Sequence, residues 1–343
     1  MVRLKDIASR AGVSVMTVSK VLRDAPDISS ATKARIKLLA DEMGYVPDSL
    51  AQGLRTRTTH LIGLVISAVT NPVFARAILA IEEESHELGY GIVLAHTLND
   101  PDREETVIRR LLARRVDGII ISPVYRLAPT ADVYDELFES HVPVVILGQK
   151  AQFCSAFSSV ESEDVLGSYS ATNHLLQLGH RRIAFFAGST LSPWSQERLE
   201  GYKRAFREAS VEVDEALIFN AGSTIEDGEK AALQLLNEGV KTTAIQAAND
   251  LVAIGAASIL IKQGFKIPEQ ISVVGFGNVL LGEYFSVPLT TVRQPKFRLG
   301  VAAMETFRKL LKHEPVDSKR LPAELIIRQS TGPVEASASA ANK

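Results

Sequence analysis

From Leu61 onward, short apolar runs alternate with longer amphipathic segments, and this alternation restricts the possible folds more than any other feature of the chain. The runs Leu61–Ile66, Gly91–Ala95, Gly118–Ser122, Val142–Leu147, Ile183–Ala187, Thr243–Ala247 and Ile271–Phe276 read as strands, being short and rich in apolar and β-branched residues. Pro72–Leu88, Asp164–Leu178, Gln196–Ala209 and Leu251–Gln263 have the length and spacing of helices. Strands alternating with helices make βα units, and βα units make parallel sheets with helices on both faces. So many units in roughly 270 residues exceed one convenient core and suggest more than one doubly wound sheet.

The first sixty residues follow a different pattern. Leu4 to Ala11 reads as a short helix, Gly12-Val13 as a break, and Ser14 as the N-cap of a second helix running through Leu22. Small Ala8 allows the second helix to cross closely, Gly12 can adopt the left-handed turn conformation, and Val18, Val21 and Leu22 point back to a core. A glycine-linked helical hairpin of no special function would carry charges on the outer face of its second helix. This face instead presents Val15, Met16, Thr17, Ser19 and Lys20, a mixture suited to base edges, thymine methyls and phosphates. A third helix, from Ser29-Ser30 to Gly44, carries an apolar stripe of Ile36, Leu39, Ala40 and Met43 that belongs to the core. Beyond Tyr45-Val46-Pro47, Asp48 is a possible N-cap for a short helix with Leu50, Ala51 and Leu54, followed by the polar linker Arg55-Thr56-Arg57-Thr58-Thr59. A helix this short is marginal alone in water, so it should form only against a partner such as DNA.

Charge divides the chain at the same place. Residues 1–60 hold 10 Lys and Arg against 6 Asp and Glu, a net +4, while the remainder holds 28 against 34, a net −6. A basic head on an acidic body fits a DNA-binding module attached to a domain of another kind. The 46% hydrophobic content supports a sizeable core, but the longest apolar runs fall far short of the roughly 18 residues of a membrane span. The N-terminus meets Asp6 before any apolar stretch, unlike a secretory signal. A single cysteine, Cys154, fits a reducing compartment, so a cytoplasmic protein is expected.

The run Asp6-Ile7-Ala8, Ala11-Gly12-Val13-Ser14, Thr17-Val18-Ser19 and Val21-Leu22, with Gly44-Tyr45-Val46-Pro47 and Ala51 to Leu54, resembles the LacI/GalR family of bacterial repressors, and the resemblance extends over nearly the whole chain. It implies a periplasmic-binding-protein-like core of two doubly wound parallel-sheet lobes, with a ligand in the cleft between them, behind a helix-turn-helix head. By that resemblance Val15, Met16 and Lys20 lie in the major groove, Thr17 and Ser19 meet phosphates, and Lys5 and Ser14 belong to the same DNA-binding set. Leu54 is then the wedge of a hinge helix that opens the central base step from the minor groove. Lys20 stands where the family usually has Arg, which weakens a bidentate guanine contact. Asp48 and Gln52 stand where it usually has Asn and Arg, which removes positive charge from the hinge. The implied organisation is a head over residues 1–46, a hinge and linker over 47–60, a core over 61–333 and a disordered tail over 334–343.

In the core, several polar or aromatic residues fall where strands run into loops, the usual place for ligand contacts in such sheets. Asn71 and Phe74 follow the first strand, Ser122 ends the third, Trp194 and Arg198 follow Ile183–Ala187, and Asn249-Asp250 follow Thr243–Ala247. The resemblance is carried here by Gly179-His180-Arg181-Arg182-Ile183-Ala184, Glu197-Arg198, Gly201-Tyr202, Asn249-Asp250 and Leu289-Thr290-Thr291-Val292-Arg293-Gln294-Pro295. It implies that Arg198 and Asp250 hydrogen-bond an effector and that Phe74 and Trp194 wall it. An aromatic face over sugar C–H groups with forked polar groups on the hydroxyls suits a polyhydroxylated ligand. Plainer roles remain open: Asn249 or Asp250 as a helix cap, Trp194 as core, and Arg198 paired with Glu197 or Glu200 at the surface. After Phe276 the family commonly has an aspartate, whereas this chain has Gly277 and then Asn278, so the pocket has lost one partner and Asn278 joins the candidate set.

The Ala/Ser-rich tail has no heptads, so a homodimer reading a pseudo-palindromic operator is expected rather than a tail-held tetramer. No GxGxxG follows a strand, no GxxxxGK[ST], HExxH or GxSxG occurs, and the seven histidines have no metal spacing, so neither an enzyme nor a cofactor is expected. A periplasmic sugar-binding protein would lack the DNA-binding head. A protein co-regulator in place of the small molecule is compatible with the sequence. The expected mechanism is a shift between two lobe arrangements driven by an effector that changes operator affinity.

Overall fold

The computed structural model describes residues 2–45 and 58–334. The expected hinge helix, with Asp48, Gln52 and Leu54, lies outside the described residues, as does the tail beyond Val334. The chain divides into two compact units, residues 1–59 and 60–343.

The first unit contains α1 (Leu4–Ala11), α2 (Val15–Val21) and α3 (Ser30–Glu42). Helix α1 stops because Gly12 enters the left-handed region at φ 67°, where a side chain would be strained, and the Val13 amide closes back onto the Ala8 carbonyl at 3.1 Å. Helix α2 starts at Val15 because the Ser14 hydroxyl accepts the Thr17 amide at 3.0 Å, and Ser29 caps α3 in the same way through Thr32. Ile7, Ala8, Ala11, Val18, Val21, Ile36 and Ala40 form one buried core, with Leu22, Leu39 and Met43 packed partly buried against it. The expected helical stripe is thus the inner face of the unit.

The second unit contains two six-stranded sheets. The first orders its strands β11-β5-β4-β3-β1-β2, where β1 is Leu61–Ile66, β2 Gly91–His96, β3 Gly118–Ile121, β4 Val144–Leu147, β5 Ser158–Ser162 and β11 Lys319–Leu321. The second runs β12-β10-β9-β8-β6-β7, where β6 is Ile183–Ala187, β7 Ile218–Asn220, β8 Ala244–Ala247, β9 Ser272–Phe276, β10 Thr290–Arg293 and β12 Glu324–Ile326. Every pairing is parallel except that of β12 with β10. Helices α4 (Pro72–Glu87), α5 (Pro101–Ala113), α6 (Asp132–Glu139), α7 (Asp164–Gln177), α8 (Pro193–Glu208), α9 (Ile225–Asn237), α10 (Asp250–Lys262), the short α11 (Leu280–Glu283) and α12 (Lys296–Leu311) make the crossovers and cover both sheets.

Period-two alternation in β3 sends Ile119 and Ile121 into one core with Tyr134 and Val144, and Ile120 into the opposite core with Leu64, Val145 and Phe307. Strands buried on both faces read as continuous apolar runs, which is why these were visible in the sequence. Both sheets start with the order 2-1-3-4-5 in their own strands, which puts topological switch points between β1 and β3 and between β6 and β8. After β5 the chain passes to the second sheet, returns with α12, which packs on α4 and β4, contributes β11 to the first sheet, and ends with β12 on the second.

The seven strands read from the sequence are present, with ends corrected by one or two residues. The run expected from Val142 starts at Val144, beyond Pro143, and Thr243 and Ile271 precede their strands. Five further strands were not foreseen. Ser158–Ser162 is mostly serine and glutamate although all but its first residue is buried, and β7, β11 and β12 are three residues each, too short for a periodic signal.

Candidate functional site

On the head, helical periodicity turns Val18 and Val21 inward and leaves Val15 46% and Met16 66% exposed. These are large apolar groups on a seven-residue helix that spends no inward contact on them, the disposition needed to meet base edges and thymine methyls. Thr17, Ser19 and Lys20 are half-buried beside them, and Ser14 and Lys5 are exposed. The Ser14 and Thr17 hydroxyls share a hydrogen bond of 2.9 Å. The Lys20 ammonium is held by Asp27 at 2.5 Å, and that hydrogen bond keeps the Asp27 carboxyl below its usual range. An ion pair this exposed contributes little stability, so Lys20 can exchange Asp27 for another acceptor.

In the second unit a cavity of about 410 Å³ collects residues that follow β1 and β3 of one sheet and β6 and β8 of the other. Six of the seven sequence candidates line it: Asn71, Phe74, Ser122, Trp194, Arg198 and Asp250. They converge because both switch points open on the same space, the position at which open α/β sheets bind ligands. Asn278 does not join them. It sits at φ 52°, and its side-chain oxygen accepts the Arg328 guanidinium at 2.7 Å, so its amide is engaged beside the cavity rather than in it.

Arg198 is the most constrained member. Its Nε and Nη2 donate to the same oxygen of Asp164 at 2.8 and 2.6 Å, and Nη1 donates to the Ala248 carbonyl. Its guanidinium lies over the rings of Phe276, at 3.7 Å, and Trp194, at 4.7 Å. The surface pairing considered from the sequence is therefore incorrect. Glu197 is engaged by Arg320 and Gln149, Glu200 by Arg207, and Arg198 is buried against an acid thirty-four residues earlier. Asp164, the first residue of α7, also accepts the Ser162 hydroxyl, so the carboxylate that orients Arg198 is itself held. Trp194 is half-buried in the first turn of α8 and serves both as cavity wall and as the edge of a core.

Asp250 has a division of labour with its neighbour. Asn249 caps α10 by accepting the Val252 amide at 2.9 Å, while the buried Asp250 carboxylate accepts the Val279 amide at 2.7 Å and the Thr291 hydroxyl at 2.5 Å. Burial pushes its carboxyl above the usual range, and these two hydrogen bonds oppose the rise. Gly277, at φ 132°, has a conformation few side chains adopt and leaves that stretch of the wall without an acid.

Lys296 was missed. It opens α12, lines the cavity while only 6% exposed, and donates to the Asn278 carbonyl at 3.1 Å. Burial lowers its pKa and the nearby Asp250 opposes the fall. The quoted motif ended one residue before it, and a lone lysine after Pro295 carries no periodic signal.

Residues 3–48 match the family described as bacterial regulatory proteins, lacI family, and residues 172–331 match the periplasmic binding protein-like domain. The HTH-type transcriptional regulator DegA of Bacillus subtilis is 33% identical over 331 residues, covering 96% of this chain and 98% of DegA. The HTH-type transcriptional repressor PurR of Vibrio atlanticus is 34% identical over 317 residues, covering 91% and 92%. Among solved structures, the lac repressor dimer bound to operator and the anti-inducer ONPF superposes with a TM-score of 0.87 at 28% identity over 96% of this chain and 99% of that one. The transcriptional regulator CelR–cellobiose complex gives 0.73 at 29% identity over 96% and 100%. With a head matched over residues 3–48 and relatives that span nearly its whole length, the chain belongs to the lacI family of bacterial regulatory proteins: it is a DNA-binding transcriptional regulator with an effector-binding domain, and not an enzyme.

Proposed function

We propose that the chain is a cytoplasmic repressor, active as a homodimer, whose operator affinity is set by a sugar or sugar derivative bound in the core cavity. One observation carries this reading. A cavity of about 410 Å³, of the size that suits a small molecule, gathers a buried arginine, a buried aspartate and two aromatic walls at both switch points of the core. Phe74 and Trp194 offer faces to C–H groups, and the unused N–H groups of Arg198, with Ser122 and Asn71, offer polar contacts. Relatives named as transcriptional repressors and a neighbour bound to cellobiose support both halves of the reading.

On the DNA side, Val15, Met16 and Lys20 read the major groove, Thr17, Ser19, Ser14 and Lys5 position the head on the backbone, and Leu54 enters the minor groove. The head is residues 1–46, the hinge 47–60 and the core 61–333. Dimerisation through the core is supported by Leu280, Leu281 and Tyr284, which are 72%, 50% and 78% exposed on and beside one short helix. A two-fold dimer reads a pseudo-palindrome.

The test is selection of duplexes from a random library by the full-length chain, followed by thermal melting with neutral sugars, sugar acids and nucleosides. A ligand at about 100 times its dissociation constant adds roughly 2.7 kcal/mol of stability. The reading requires an enriched palindromic sequence and a stabilising sugar or sugar derivative that changes affinity for it. Failure to enrich any sequence contradicts the DNA half, and stabilisation only by compounds unrelated to sugars, or by a partner protein, contradicts the effector half.

A further inference from the structure

The three charged side chains that line the cavity differ in how much hydrogen-bonding capacity they leave to a ligand. Each oxygen of Asp250 already accepts one hydrogen bond, from the Val279 amide and from the Thr291 hydroxyl, which leaves about two of its four acceptor sites. Arg198 directs three of its five N–H groups to Asp164 and the Ala248 carbonyl, which leaves two. Lys296 has three N–H groups, and its one hydrogen bond among the described residues goes to the Asn278 carbonyl. Among the charged side chains of the lining, the open N–H groups, two on Arg198 and two on Lys296, thus outnumber the roughly two open carboxylate sites.

We propose that the effector carries an acid group, a carboxylate or a phosphate on a polyhydroxylated skeleton, and that the acid is bound by Lys296 together with the open edge of the Arg198 guanidinium. The inference rests on the cavity being the effector site. A buried ammonium satisfied by a single carbonyl is costly to hold, and an anion supplies both the missing acceptors and the missing charge. Lys296, Arg198 and Asp250 all line this one cavity, and both cations oppose the rise of the Asp250 carboxyl. Phe276 and Trp194, both stacked on Arg198, form the apolar side around the guanidinium, while Phe74 remains for the C–H faces of the skeleton.

The position of Lys296 also gives the acid a route to regulation. Lys296 lies on α12, which packs on the helices and strands of the first sheet, whereas its acceptor Asn278 follows β9 of the second. An anion that takes the ammonium competes with the one hydrogen bond Lys296 makes between the two halves of the core, so ligand charge and lobe arrangement are linked at one atom.

The test uses the full-length chain and calorimetric titration at pH 7.5 with D-gluconate, D-galactonate, D-glucuronate, D-galacturonate and D-glucose 6-phosphate, each against its neutral parent sugar. At least one acid should bind ten-fold or more tightly than its parent, and added NaCl should weaken it. The aldonates and uronates report a carboxylate and the sugar phosphate reports a phosphate. Lys296→Met should cost the acid ten-fold or more in affinity while Lys296→Arg retains most of it. The inference is overturned if a neutral parent binds as well as its acid, if no acid binds, or if Lys296→Met leaves the acid's affinity unchanged. The wild-type comparison decides the matter even if the variant fails to fold. A neutral sugar that binds and changes operator affinity would leave the regulator reading standing and remove only the acid.

Discussion

Arg198 shows how a residue identified for its chemistry becomes a structural residue as well. Removing its side chain leaves Asp164 buried without its cation, so Arg198→Met should destabilise the core by about 3–5 kcal/mol, read as a fall in denaturation midpoint. Adding Asp164→Asn should restore much of the loss, because both charges are then gone. If Arg198→Met alone melts like wild type, the buried pair is not as described. Glu104 is a second such group. It is fully buried against the Val124 amide, the Tyr134 hydroxyl and Arg126, and burial pushes its carboxyl up to about 7. The folded chain therefore keeps a proton that the unfolded chain releases between about pH 4.5 and 7, so this group's contribution to stability falls as pH rises through that window. Glu104→Gln should remove that component, at most about 3 kcal/mol, from the difference in stability between pH 5 and pH 7.5. An unchanged pH slope would contradict it. Arg198, Trp194 and Asp250 were legible because a motif and a strand end both marked them. Asp164, Glu104 and Lys296 were not, because their importance comes from partners distant in sequence, such as Arg198 for Asp164 and Val124 and Arg126 for Glu104.

At the scale of elements, the turn between α1 and α2 was readable residue by residue, since Gly12 and Ser14 each do what their chemistry favours. Ser14→Ala should lower the head's stability by about 1 kcal/mol through loss of the cap. It should also weaken operator binding, which fluorescence anisotropy would measure, and equal stability would mean that the cap is not what starts α2. Strands buried on both faces were readable as apolar runs, whereas β5 was hidden by composition. Its Ser159, Glu161 and Ser162 are buried through hydrogen bonds to one another, Arg320, Asp164 and Ser318, a polar stabilisation that hydrophobic patterning cannot reveal. Helix α12 was overlooked although it covers the first sheet and supplies Lys296, because the chain reaches it only after β10 of the second sheet, far from the strands it covers.

At the scale of the whole molecule, periodicity supplied the α/β class of the core and a separate helical head, and the resemblance supplied the two-lobed arrangement and the joint purpose of the parts. The proposed dimer makes its own prediction. A charge at an exposed apolar position of the short α11, Leu280→Glu, should shift the chain toward monomer in sedimentation and lower operator affinity, with little change in monomer fold. A variant that remains dimeric would place the interface elsewhere. The central claim is that ligand in the core and DNA at the head are coupled in one chain, and linkage fixes what that requires. The direct measurement is the affinity of the full-length chain for its selected duplex, with and without a ligand shown by calorimetry to saturate the cavity. The account predicts a change of roughly five-fold or more. An operator affinity that stays the same while the cavity is filled would contradict it.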